Sequence, residues 1–278
     1  GSSAAHPCDQ TNAGRVRKGL HNFCPAVKRP LSDGLLKKPV VAEPTQPHSF
    51  WAQVLDWARR GGLRAFPWRE EKEAYRIVVA ETIMRRTGAD RAGRPYEEFL
   101  KRWPSTEALA AESDSAVAAF FRHLGMPRRG ALLRQAAERV VRQHAGIFPA
   151  SRRDLLQLPG VGRYTADAVL CFAYGFPVVP VDAGVARVAE RALGLKSNRL
   201  RPWADSELQA RLCAGVPSGC ARACAYALID IAGLYCRPRA RRCGACPAAK
   251  ACLSSPELSF TAEARDLRRS LLAEPPHG

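Results

Sequence analysis

Four cysteines, Cys236, Cys243, Cys246 and Cys252, stand in the spacing C-x6-C-x2-C-x5-C. Four thiolates brought together by one compact loop suit an iron-sulfur cluster or a structural zinc, and spacing alone leaves both open. Between the first two lies Arg237-Pro238-Arg239-Ala240-Arg241-Arg242. A ligand-tethered loop would therefore present Arg237, Arg239, Arg241 and Arg242 to a phosphate backbone, or simply to solvent. A second constellation is Leu158-Pro159-Gly160-Val161-Gly162-Arg163-Tyr164-Thr165-Ala166. Gly160 and Gly162 can take positive φ and let a phosphate approach the backbone, while Arg163 and the amides opening the next helix face it with a positive dipole end. Asp182 follows Tyr164 by 18 positions, in Val181-Asp182-Ala183-Gly184-Val185. An Asp there is a helix N-cap, and an N-cap at a cleft edge is also a carboxylate held rigidly for chemistry. Glu81 shares a helical column with Ile77, Met84 and Arg85. A carboxyl in such an apolar stripe needs a partner or a proton: an i,i+4 ion pair with Arg85, or a pKa raised by burial.

These residues need elements to hold them. Apolar positions at three-and-four spacing predict helices over Phe50 to Arg60, Tyr75 to Thr87, Ala89 to Trp103, Ser115 to Leu124, Arg128 to His144, Arg152 to Leu158, Arg163 to Tyr174, Ala183 to Leu193, Asp205 to Cys213 and Cys220 to Tyr235. The strand-like run Val178 to Val181 is interrupted by Pro180. The fold class expected is all-α.

The 278 residues carry 43 Lys and Arg against 26 Asp and Glu, a net charge of +17, which predicts a polyanionic partner. No uninterrupted run of 18 apolar residues and no signal-peptide pattern occurs, so the expectation is a cytoplasmic, nucleoid-associated protein with no membrane partner. Ten cysteines in a reducing compartment point to ligation rather than disulfides. Residues 1–47 hold six prolines and a single aromatic, Phe23, and are expected to be a disordered basic arm.

The hairpin, the Asp at its offset and the cysteine spacing, taken together and in this order, resemble the helix-hairpin-helix DNA glycosylases of the endonuclease III and MutY-like kind, over about residues 48 to 253. The resemblance implies a two-lobed helical fold: a six-helix barrel over 74–182, a cluster lobe from 48–73 plus 183–253, and a tail over 254–278. It also implies a [4Fe-4S] cluster on the four cysteines, double-stranded DNA with a mismatched or damaged base as partner, a monomer, and one nucleotide flipped into the cleft. The position matching Tyr164 is Lys in endonuclease III, where the amine forms a Schiff base; a phenol cannot, so no lyase step is expected. Tyr164, with Phe66-Pro67-Trp68-Arg69 and Glu81-Thr82-Ile83-Met84-Arg85-Arg86-Thr87, is similar to the branch that removes T or U opposite G. In that light Asp182 stabilises the cationic sugar or activates water, Glu81 hydrogen-bonds the flipped base, and Arg85, with Arg86 beside it, fills the gap and meets the widowed guanine. An adenine-mismatch enzyme without its 8-oxoguanine domain is the alternative, only 26 residues following Cys252; a non-catalytic DNA-binding relative is the other. One departure stands out: relatives carry Asn or His where this chain has Gly184.

Overall fold

The computed structural model describes residues 49–256; the basic arm over 1–47 and most of the tail lie outside them. Eleven α-helices are found among the described residues: α1 Phe50–Arg59, α2 Ala74–Thr87, α3 Ala89–Arg102, α4 Thr106–Ala110, α5 Asp114–Arg122, α6 Pro127–His144, α7 Arg152–Gln157, α8 Arg163–Ala168, α9 Ala183–Leu193, α10 Ser206–Ala214 and α11 Ala221–Leu234. The protein is all-α; the run 178–181 is not a strand, and the β-pairing seen is an isolated bridge between Cys236 and Arg241. Ten helices fall where the apolar period puts them. The eleventh, α4, has five residues, too few to show a period, and is fixed by Ser105, whose hydroxyl accepts from the Ala108 amide at 3.2 Å.

Short polar caps start most helices near their predicted ends. Ser49, Ser113 and Ser151 accept from the amides three residues on. Helix α8 runs without a break into a π-helical segment, Val169–Ala173, so one continuous apolar stretch is locally widened, a feature common at functional sites. Helix α2 is buried on nearly every side, through Tyr75, Ile77, Val78, Val79, Ala80 and Ile83, and packs on α3, α6, α8 and the π segment. Helices α4 and α5 lie on α6. A separate group forms where α1 and α9 pack on α11, with the Ala249–Ala251 turn against α1. The two groups meet where α11 touches the π segment, and the cleft opens there.

Candidate active site and nucleic-acid interface

A cleft of about 430 Å³ is lined by Glu81 of α2, Tyr164 of α8 and Asp182 at the start of α9. The three side chains come from positions up to about a hundred residues apart and meet because α2 crosses both α8 and the π segment. Asp182 is the N-cap of α9: its Oδ1 accepts from the Val185 amide at 2.7 Å. The bond fixes the carboxylate on the cleft wall, at the positive end of an eleven-residue helix.

Gly184 lies where α9 presses on α11. A Cβ there would stand 3.0 Å from the Ala232 Cβ and 3.1 Å from Asp182 Oδ1. A side chain such as the Asn or His expected of relatives would be tight here unless Ala232 or Asp182 shifted by a few tenths of an ångström.

Glu81 is 8% exposed. Burial is the main cause that pushes its carboxyl up to about 7; Arg85 and Arg69 oppose the rise and Asp182 adds to it. The i,i+4 ion pair with Arg85 is not among the ion pairs of the described residues; Arg85 Nη2 instead donates to Thr165 Oγ1 at 2.9 Å, tying α2 to the hairpin. Burial, then Glu81 and Asp182, raise the Tyr164 phenol well above its ordinary value, so it remains a neutral hydroxyl.

Sequence reasoning missed the floor of the cleft. Asp230 of α11 is fully buried and accepts from the Arg64 amide at 3.0 Å and Nε at 2.9 Å, and from Arg69 Nη2 at 2.7 Å. The Arg69 guanidinium lies over the Tyr226 ring at 4.1 Å, and Tyr226 stacks on Phe172 of the π segment, also at 4.1 Å between centroids. Arg69 lines the cleft, and its buried Nη1 has no hydrogen-bond partner among the described residues. Trp203, 42% exposed, stands at the cleft wall.

In the hairpin between α7 and α8, Gly160 takes φ +76° as expected, whereas Gly162 does not. Its φ is −96° with ψ 177°, because it is the N-cap of α8 and caps are extended. Helix α8 has no side-chain cap, which leaves its amide end open to an anion. Arg163 turns inward: Nη1 donates to the Ala204 carbonyl at 2.9 Å and Nη2 to Gln209 Oε1 at 2.6 Å. Gln209 in turn reaches the buried Asp167 at 2.6 Å, so Arg163 braces the hairpin on α10. Arg85 and Arg86 are exposed at the end of α2, and Arg237, Arg239, Arg241 and Arg242 are exposed on the cysteine loop.

Cys236, Cys243, Cys246 and Cys252 are all unpaired and partly buried. Burial raises the Cys246 thiol to about 11, and Cys252, Cys236 and Cys243 each add to the rise. The four thiols therefore lie within electrostatic reach of one another, although no three are arranged around a single ion among the described residues. Four thiols on one short loop fit a thiolate-bound iron-sulfur group in number and kind. Two α9 arginines hold the loop: Arg187 Nε donates to the Cys236 carbonyl at 2.7 Å, and Arg191 Nη1 to the Arg237 carbonyl at 3.0 Å.

Known proteins resemble this chain in sequence and in fold. The helix-hairpin-helix motif family matches residues 143–172. A thymine/uracil-DNA glycosylase of Pyrobaculum aerophilum is 35% identical over 199 residues, 70% of this chain and 86% of its own. An adenine DNA glycosylase of Mycobacterium tuberculosis is 34% identical over 215 residues, 77% of this chain and 69% of its own. A solved thermostable thymine-DNA glycosylase superposes with a TM-score of 0.67 at 30% identity, covering 74% of this chain and 94% of that one.

Proposed function

The chain belongs to the helix-hairpin-helix DNA glycosylases, and from that membership we propose that it hydrolyses the N-glycosidic bond of thymine or uracil opposite guanine, without cutting the strand. The observation that carries this proposal is the meeting of Glu81, Tyr164 and Asp182 in one cleft. Departure of the base leaves positive charge on C1′ and O4′ of the sugar. Asp182, anchored by the Val185 amide, is placed to stabilise that charge and to guide water, a preorganised electrostatic effect. Thymine and uracil each carry two ring carbonyls. A Glu81 carboxyl that still holds a proton near neutrality is a donor that would meet one of them. Tyr164 has no amine, so a Schiff base to C1′ has no nucleophile at this position, which supports a reaction ending at the abasic site. Mismatched bases unpair more cheaply than matched ones, so part of the selectivity belongs to flipping itself.

Duplex DNA is the partner, bound by a monomer, with one phosphate on the hairpin and others on the arginines of the cysteine loop. Cys236, Cys243, Cys246 and Cys252 would hold a [4Fe-4S] cluster. When bound, the cluster supplies a four-point cross-link to a loop that has no strand or helix longer than one turn of its own.

The test is excision from labelled duplexes holding T:G, U:G or A:8-oxoguanine, with and without hot alkali, beside Asp182→Asn. Cutting of T:G and U:G that requires alkali is the expected result, with a loss of about 100- to 1,000-fold in the Asp182→Asn protein. Excision from A:8-oxoguanine alone would transfer the chain to the adenine branch, and cutting without alkali would overturn the absence of a lyase step.

A further inference from the structure

A second cavity, of about 450 Å³, lies beside the cleft, between the C-terminal end of α2, the turn into α6 and the hairpin at Pro159, Gly160 and Val161. Four arginines line it: Arg85 and Arg86 from α2, and Arg128 and Arg129 from the first turn of α6. No acidic residue among the described ones lines it. Among the described residues the ion pairs take up other arginines; Arg134, further along α6, turns to Asp114 and Glu138. The hydrogen bond of Arg85 among the described residues is to a neutral partner, the Thr165 hydroxyl.

In the free protein this arrangement is repulsive. Helix α6 has 18 residues, follows Met126, which gives it no side-chain cap, and has no acidic residue in its first turn. Arg128 and Arg129 therefore occupy the positive end of the helix dipole, where anions rather than cations are stabilised. Burial, followed by the neighbouring Arg85 and Arg86, lowers the Arg129 pKa from its ordinary value. An anion inside the cavity reverses the sign of each of these interactions, and the guanidinium fork matches phosphate oxygens in pairs. A base edge does not balance the site: one guanine presents two acceptors to a single guanidinium and carries no charge.

We infer that this cavity is a phosphate site distinct from the hairpin, in which Arg128 and Arg129, flanked by Arg85 and Arg86, hold a phosphodiester of the bound duplex. The inference rests on the glycosylase assignment only for the identity of the polymer. Its test is binding by the full chain and by R128Q/R129Q, across a salt series, to an unmodified duplex and to a G:U duplex whose 2′-fluoro sugar blocks base release. The same duplexes are then scanned with single neutral methylphosphonates in both strands.

The expected result is that R128Q/R129Q weakens both duplexes alike and lowers the slope of log K against log salt by about one to two. The scan of the unaltered protein, which does not depend on how the variant folds, should show one or two sensitive phosphates beyond that of the hairpin, and R128Q/R129Q should be insensitive there. Equal sensitivity of both proteins at every phosphate overturns the proposal, as does a loss confined to duplexes with guanine opposite the flipped nucleotide. Failure to excise T or U opposite G would instead overturn the assigned reaction, and leave the phosphate result standing.

Discussion

At the scale of the residue, the decisive feature is how differently the carboxyl groups around the cleft are held. Asp182 accepts a backbone hydrogen bond at 2.7 Å, and Asn keeps the same cap acceptor. Asp182→Asn should therefore lower excision by the same factor of about 100 to 1,000 while moving the thermal midpoint little, which a melting curve run beside the excision assay will check. Glu81 is the opposite case. Its folded pKa, about 7, lies above the usual carboxyl value, so the folded state binds more protons than the unfolded state between the two values, and stability falls as pH rises through that window. Glu81→Gln should then raise stability at pH 8 by on the order of 2–3 kcal/mol and by almost nothing near pH 4. Excision should fall in the native protein as pH rises through about 7, and lose that dependence in Glu81→Gln. Melting and single-turnover rates across pH measure the two effects, and a stabilisation equal at both pH values would remove Glu81 as the titrating group.

At the scale of the element, α9 carries Asp182 at its start and is pressed against α11 at Gly184, where a Cβ would meet Ala232 at 3.0 Å. Gly184→Ala should destabilise by about 1–3 kcal/mol through overpacking and displace the Asp182 carboxylate, lowering excision more than stability. Ala232→Gly in the same chain should restore a large part of both, whereas additive losses would show that the contact is not the cause. The cysteines, the Gly160 turn and the offset to Asp182 are legible in the sequence because their neighbours are local, and the helices because apolar period is local too. Arg163 was legible as a residue but not as a contact: nothing near it in the chain announces Gln209 of α10. Arg128 and Arg129 read as ordinary first-turn residues of a surface helix until α2 brings Arg85 and Arg86 alongside.

At the scale of the whole molecule, Asp230 joins segments 161 and 166 residues apart, holding Arg69 and Arg64 from beneath the cleft. No pattern in the sequence pairs them, since a fully buried carboxylate on an apolar helix looks like a flaw until its two cations are seen. Asp230→Asn should cost about 3–5 kcal/mol, since it leaves buried guanidinium charge uncompensated; denaturant unfolding will measure it, and a loss within experimental error would show that the pair is solvated. Cleft and arginine cavity remain distinct except at one residue: Arg85 alone among the described residues lines both. A side chain common to the cleft and the proposed phosphate site is a route for coupling, and coupling is reciprocal: whatever factor a phosphate in the cavity contributes to base affinity, a seated base must return to the cavity. A free nucleobase fills one site only and lies outside that exchange, so a favourable coupling through Arg85 would separate a base still attached to its polymer from the same base adrift in solution.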